Sequence, residues 1–519
     1  MLFNSYVFIF VFLPLSLFTY YFFLKLNKLN LAQLSLLLFS LFFYGWWNFY
    51  YLFLLIVSII INYYIGNLLL YNKSKFYLTL GIILNLSLLF YYKYFNFFID
   101  NFNLFFNKNF LFETIILPLG ISFFTFQQIS FLVESFSGSF REVRFIKYSI
   151  FVSFFPQLIA GPITRFNNFY PQLLSFNIKK LSRNLAIGLT IFSIGLFKKV
   201  CIADSISSYV DNGFSAVNYK IVLTFAESWI TAILYTFQLY FDFSGYSDMA
   251  VGLAFMFGLI IPINFLSPFK SKNIAEFWRK WHISLSALAR DYIFYPLALK
   301  LNQLCFDLSI KEKISNIITT IIPTIICFFA IGVWHGAGWN FIIFGLSHAL
   351  LIVIYDFYSK FKNRDTKNSI LKTIISTIFT FLLVVALFVF FRSENLTQSM
   401  DILSSMFGKN LISLPIFLEP QLNFLKDYGF KFSGLFYNNI FIFNNYFDNP
   451  LVWIIFLSGV SFFGINIYQV LNDDFKKYEQ SKTKISWKPN LKWLSVTIIL
   501  LFLSITKLSG DAKFLYFQF

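Results

Sequence analysis

Residues 370–391 read ILKTIISTIFTFLLVVALFVFF, 22 residues with one charge, Lys372. A helix that crosses the hydrocarbon of a bilayer needs about 20 mostly apolar residues. A helix is also one of the two structures that satisfy every backbone polar group there. The run is preceded by Lys360, Lys362, Arg364 and Lys367. Basic residues collect in cytoplasmic loops, so this end is expected inside, and the mixed, aromatic-rich stretch 392–449 outside. Similar apolar runs recur at 5–24, 31–48, 50–71, 76–98, 115–137, 145–160, 184–210, 221–241, 245–263, 315–334, 338–358, 450–470 and 492–509, which gives 11 to 14 passes.

Composition agrees with the local reading. The 519 residues are 58% hydrophobic and 13% charged, with 77 Phe and three His, and the mean hydropathy is +0.68. A soluble domain carries about 25% charged residues. This excludes a soluble enzyme, a disordered scaffold and a nucleic-acid binder. The net charge of +17, from 41 basic and 24 acidic residues, is assigned to topology. The basic sites expected in the cytoplasm are Lys25 with Lys28, Lys73 with Lys75, Arg141 with Arg144 and Lys147, Lys179 with Lys180 and Arg183, the run before residue 370, and Lys476 to Lys492. Alternation then places the N-terminus outside, as a first membrane helix and not a cleaved signal. Cys201, Cys305 and Cys327 have no metal-ligand spacing, and their odd number argues against a disulfide framework. The expectation is one all-α polytopic membrane domain over 1–519.

Two stretches interrupt the pattern. At 154–175, Pro156, Pro162 and Pro171 break any straight helix and suggest a re-entrant segment, tolerated at membrane depth only where protein or a water cavity surrounds it. At 264–312 the chain is too polar to span and rich in aromatic residues, which suggests amphipathic helices at the interface or folded into a cavity.

The chemistry-bearing residues gather late in the chain. His282, His335 and His348 all lie within 67 positions, and ionisable residues inside a membrane default to a functional reading. His335 stands in WHGAGWN, whose glycines permit a tight turn or close approach of a ligand. His348 is 13 residues further on, about 20 Å along an unbroken helix. The two could then not touch one reacting atom unless Gly336 and Gly338 fold the segment back. Around His282, a single helix would put Trp278, Trp281 and Leu285 on one face, with Arg279 and Lys280 offering positive charge. That pattern suits a snorkelling interfacial helix or a platform for an anionic group such as a cofactor phosphate. Asp242 to Asp248, DFSGYSD, forms a polar knot between two apolar runs. Its carboxylates can orient a histidine or bind a cation, and Ser244 to Asp248 also suits the N-cap of a following helix.

Seven ordered blocks carry a family resemblance: LPLGISFFTFQQISFLVESFSG (117–138), FFPQLIAGPITR (154–165), GLFKKVCIAD (195–204), YFDFSGYSDMAVGLAFMFG (240–258), INFLSPF (263–269), EFWRKWHISLSALARDYIFYPL (276–297) and WHGAGWNFIIFGLSHA (334–349). The sequence resembles the membrane-bound O-acyltransferases (MBOAT), in particular their bacterial alginate O-acetylase branch, with residues 117–349 as the motif-bearing core. The resemblance implies a fold of transmembrane, re-entrant and interfacial helices around a central cavity. It also implies transfer of acetyl from a cytoplasmic thioester, acetyl-CoA, towards an extracytoplasmic polysaccharide of alginate, peptidoglycan or exopolysaccharide type. No bound cofactor or metal is expected, and an SGNH-type acetyltransferase partner would complete the transfer in the bacterial inner membrane. His335 falls on the family's invariant histidine and His282 on its second.

Acyl transfer to a hydroxyl needs a base, oxyanion stabilisation and exclusion of water. His335 is expected as base and His282 as orienting partner or relay. Asn340 is a candidate oxyanion donor, Arg279, Lys280, Trp278 and Trp281 candidates for the donor, and Asp242, Asp248 and His348 supporting or structural. The segments 154–175 and 264–312 are expected to wall a channel. Teichoic-acid D-alanylation, which shares much of the pattern, and a non-enzymatic envelope-precursor transporter remain alternatives.

Overall fold

The computed structural model describes residues 1–174, 181–361, 369–441, 448–471, 475, 485–508 and 515. Lys179, Lys180, Lys362, Arg364, Lys367, most of the run from Lys476, and the last residues of 154–175 and 492–509 lie outside them. The helices are α1 (Leu13–Lys25), α2 (Leu29–Gly45), α3 (Phe49–Tyr71), α4 (Lys75–Leu89), α5 (Phe95–Phe106), α6 (Ile121–Phe136), α7 (Phe145–Ser153), α8 (Phe155–Leu158), α9 (Phe166–Leu174), α10 (Leu181–Phe197), α11 (Ser207–Asn218) and α12 (Phe225–Met256). They continue as α13 (Ile274–Lys280), α14 (Ile283–Ala289), α15 (Tyr295–Asp307), α16 (Glu312–His335), α17 (Trp339–Phe361), α18 (Ile370–Arg392), α19 (Leu396–Met406), α20 (Glu419–Leu422), α21 (Pro450–Phe463), α22 (Ile467–Val470) and α23 (Leu491–Thr506).

Among the described residues, eight helical segments are long and apolar enough to cross a membrane, and α2 and α23 are shorter apolar helices. The opening stretch is one of the eight. On α18, Phe381, Val384, Val385 and Phe388 are buried, while Leu371, Ile374, Ile375, Ile378 and Phe379 are exposed. A helix that is apolar on its exposed face as well as its buried one is suited to lipid, not water.

The chain divides into two compact units. The first comprises residues 1–201, 243–264 and 486–518. Its core is aromatic: Phe3 stacks on Tyr246 at 4.9 Å and Phe12 meets Phe155 edge-on at 5.3 Å. A buried amide cluster ties α3, α4 and α6 together. Asn85 Nδ2 donates to Asn62 Oδ1 at 2.6 Å, Asn62 Nδ2 donates to Gln128 Oε1, and Ser58 Oγ donates to the same oxygen at 2.7 Å. Such bonds replace the hydrophobic drive that is missing between helices in lipid. The second half of α12 lies against α10 through paired glycines. A Cβ on Gly188 would sit 2.5 Å from the Gly252 carbonyl oxygen, and one on Gly245 would sit 2.7 Å from that of Gly195.

The second unit comprises residues 202–242 and 265–485. Its centre is the α16–α17 hairpin, whose helices meet at Gly332 and Gly345. A Cβ on Gly345 would lie 2.3 Å from the Phe328 carbonyl oxygen. The stretch 392–441 carries α19 and two three-residue strands, Ile412–Leu414 and Phe430–Phe432, paired in parallel with Ile412 opposite Phe430. It is pinned by the buried Glu227, whose carboxylate accepts from the Asn438 backbone N–H at 2.7 Å, Asn438 Nδ2 at 2.7 Å and the Thr224 N–H at 2.9 Å.

Three local expectations change. Residues 221–241 and 245–263 are not two passes, because α12 runs without a break through Asp242 to Asp248. Asp248 therefore caps nothing; its carboxylate is paired with Lys198 at 2.6 Å. The run 145–160 breaks at Phe154, which leaves helical geometry, and a short α8 restarts at Phe155 with Pro156 in its first turn, where a missing N–H is tolerated. The run 115–137 becomes helical only at Ile121, after Gly120 at φ +71°.

Candidate active site

The site is built from the ends of helices in the second unit. Asn273 caps α13 by accepting the Glu276 N–H at 2.8 Å, and Glu276 holds Lys280 at 2.7 Å, one turn on. The helix then stops. Trp281 is extended, and His282 has φ +45° and ψ +53°. A non-glycine residue in the left-handed region costs about 1–2 kcal/mol, and such strain clusters at functional sites. The surroundings hold it: the Leu266 N–H donates to the Lys280 carbonyl at 3.0 Å, and α14 starts on the far side, with the Ser286 N–H donating to the His282 carbonyl at 3.0 Å. The single helical face expected for Trp278, Trp281 and Leu285 therefore does not exist. The break turns the His282 ring to within 6.3 Å of the His335 ring and 5.8 Å of Trp334, centroid to centroid.

His335 is the last residue of α16. Gly336 is extended, and a Cβ there would lie 2.2 Å from the Phe341 ring, so the chain reverses at a position where a side chain does not fit. The buried imidazole is enclosed by Phe391 at 4.9 Å, Trp334 at 5.0 Å and Phe344 at 6.0 Å. The reversal does fold the segment back, yet His348 takes another partner. Its Nδ1 accepts from Trp278 Nε1–H at 3.2 Å, and its ring lies 4.6 Å from Phe344. His348 is an aromatic-cluster residue that orients Trp278, and the two histidine rings that neighbour each other are those of His282 and His335.

The other candidates disperse. Trp281 packs on Phe277, Phe388 and Phe265 as a wall. The Lys280 ammonium is engaged by Glu276, while Arg279 is exposed. Asn340 Nδ2 donates to the Ser393 carbonyl, so an oxyanion role rests on its second amide hydrogen. Asp242 is buried near the middle of α12, in the same unit as the histidines, and Asp248 belongs to the other unit. The segments 154–175 and 264–312, expected to wall one channel, also fall in different units apart from Asn264. Sequence reading missed the α18 contribution: Phe388, Phe391 and Ser393 close the site from more than 40 positions beyond His335. Nothing local distinguishes those phenylalanines among 77.

Burial also sets the charge of His282. The imidazole is fully enclosed, and loss of solvent pushes its pKa down to about 3, so it is neutral at physiological pH. A folded-state pKa below the unfolded value of 6.5 contributes stability that is present above 6.5 and lost as pH falls towards 3. The expected result is that the melting-temperature advantage of the wild type over His282→Gln shrinks between pH 7.5 and pH 5. A constant advantage across that window would contradict this assignment.

Three buried histidines among aromatic rings, two of them, His335 and His348, on helices of membrane-spanning length, define a polytopic membrane protein that encloses its polar side chains. Residues 29–393 match the model of the MBOAT, membrane-bound O-acyltransferase family. The chain belongs to that family and is a multi-pass membrane O-acyltransferase. It is 36% identical to a peptidoglycan O-acetyltransferase of Helicobacter pylori, covering 100% of this chain and 98% of that protein. It is 33% identical to a probable alginate O-acetylase AlgI of Pseudomonas putida, over 100% of both. A teichoic acid D-alanyltransferase of Bacillus subtilis is 32% identical over 47% of this chain and 60% of its own length.

Proposed function

We propose that the chain takes acetyl from a cytoplasmic thioester, with acetyl-CoA as donor, and passes it across the bacterial inner membrane for O-acetylation of a cell-envelope polysaccharide. Peptidoglycan is the first acceptor to test. The full-length likeness to a peptidoglycan O-acetyltransferase carries this reading; likeness to the D-alanyltransferase covers only about half the chain. His335 removes the acceptor hydroxyl proton as the oxygen attacks the thioester carbon. Collapse of the tetrahedral oxyanion breaks the carbon–sulfur bond, and the proton passes from His335 to the departing thiolate. His282, neutral and beside it, orients the His335 ring or relays the proton. The Trp334, Phe344 and Phe391 walls keep water from competing for the acyl group. Arg279 supplies a charge for donor phosphates at the surface. An SGNH-type partner outside the membrane would place the acetyl on the polymer.

The test is base-labile acetate on purified peptidoglycan and on exopolysaccharide from cells with and without the gene. The expected result is loss of acetate from peptidoglycan on deletion, restored by the intact gene. Acetate lost from exopolysaccharide alone would move the acceptor. Loss of ester-linked D-alanine with acetate intact would overturn the acetyl reading.

A further inference from the structure

His348 is fully buried among aromatic rings, where a phenylalanine of similar size would pack. What the imidazole adds is direction. Its Nδ1 accepts from Trp278 Nε1–H at 3.2 Å, so the proton of the neutral ring is on Nε2. Nε2 makes no hydrogen bond to any described residue. A buried indole N–H needs an acceptor, and Trp278 takes this one. Trp278 is a wedge: its ring meets Phe328 of α16 edge-on at 4.9 Å and His348 of α17 at 5.1 Å. Phe277, the residue before it, lies nearly parallel to the His348 ring at 6.5 Å and is stacked on Trp281 at 5.5 Å. His348 therefore grips two successive residues of α13, just one turn before the left-handed turn at His282. On its own helix it borders Phe344 at 4.6 Å, and Phe344 borders His335 at 6.0 Å.

We infer that His348 is a positioning residue for acyl transfer: through its bond to Trp278 it sets the end of α13 against the α16–α17 hairpin, and so holds the His282 ring at its 6.3 Å approach to His335. The inference rests on the reading of His335 as base with His282 beside it. Two features carry it. The helix α13 has only seven residues, too few to be stable alone, so its last turn stays where tertiary contacts put it. The turn at His282 lies in a backbone region that a non-glycine residue avoids, so it relaxes when those contacts loosen. Apolar packing is non-directional, whereas one N–H···N bond fixes the rotation of the indole. A misplacement of about 1 Å at a reacting group is enough to cost about 10²-fold in rate.

The test uses inverted membrane vesicles from cells that make the full chain. Acetyl-CoA is added at the exposed cytoplasmic face, and the base-labile acetate formed from it is counted per unit of folded protein. His348→Leu is expected to lower kcat by about 10–100-fold, with little change in KM for acetyl-CoA. Asparagine reproduces the Nδ1 side of the ring, because its Oδ1 stands the same number of bonds from Cβ; glutamine reproduces the Nε2 side. His348→Asn is therefore expected to restore most of kcat, and His348→Gln little of it. Trp278→Phe loses the same factor in kcat as His348→Leu, and the double variant loses no more than either, as the two ends of one bond should. Asn no better than Leu, additive losses, or a change confined to KM for acetyl-CoA each overturns the inference; the last would make His348 a donor contact. Where His348→Leu fails to fold, the contrast between Asn and Gln at similar melting temperature decides. His335→Gln in the same vesicles separates the two readings. Acetate indifferent to His335 removes the base on which the inference rests. Acetate lost with His335→Gln but unchanged in every His348 variant removes the positioning role alone.

Discussion

Replacing His335 with alanine is expected to reduce ester-linked acetate on the envelope polymer by about 10²–10⁴-fold, the usual contribution of a positioned general base, while the protein still inserts and folds. The effect is large because no other described group stands in the same place. His348 is bonded to Trp278, and His282, on a strained turn 6.3 Å away, belongs to a separate helix end. Alanine removes a ring that lies against Phe391 and Trp334, so a melting curve must accompany the assay. His335→Gln fills more of the volume and separates chemistry from packing: it is expected to be as inactive as alanine but to melt nearer the wild type. Full acetate with either variant would remove His335 as base. His282→Ala is expected to lose less than His335→Ala if His282 orients or relays, and equal losses would make the two rings one catalytic unit.

The second large effect is structural. Gly345→Leu is expected to abolish folded protein, and Gly345→Ala to lower its melting temperature measurably. At Gly345 a Cβ would meet the Phe328 carbonyl oxygen at 2.3 Å and the Gly332 Cα at 3.1 Å, and a Cβ on Gly332 would meet the Phe341 carbonyl oxygen at 2.4 Å. Both obstacles are backbone, so no rotamer change relieves them, and the helices have to separate. Overpacking in cores costs about 1–3 kcal/mol even where side chains can yield. Separation of α16 from α17 also pulls His335 away from Phe344, so any Gly345→Ala protein that folds should transfer acetyl more slowly. Size-exclusion profiles and melting curves of detergent-extracted protein give the result. A monodisperse Gly345→Leu protein with wild-type melting would show that the hairpin does not depend on this contact.

How much of this was legible in sequence follows from how local each feature is. A membrane helix is a local property: about 20 consecutive apolar residues suffice, and α3, α16 and α18 appear in the structure close to where hydropathy places them. The ends of helices are less local. The polar knot at Asp242 to Asp248 reads as a break between two runs, yet α12 continues because its carboxylates find partners or burial elsewhere, Lys198 for Asp248 in particular. The stretch around His282 reads as one helix because every residue in it is a tolerable helix former; the left-handed turn at His282 is imposed by packing, and no residue type announces it.

The sequence by itself determined that this is a polytopic membrane protein, that its family blocks run from 117 to 349, and that its reactive candidates are three histidines late in the chain. Only the tertiary structure decided which of them meet. His282, His335 and Phe391 come together from the ends of different helices, more than 50 residues apart at each step. His348, only 13 residues from His335, turns to Trp278 instead. Hydropathy is summed along the chain, whereas the contact between two imidazoles is set by where helices stop and how closely they approach. Here that is decided by Gly336, by the Gly332–Gly345 contact and by one strained residue at position 282.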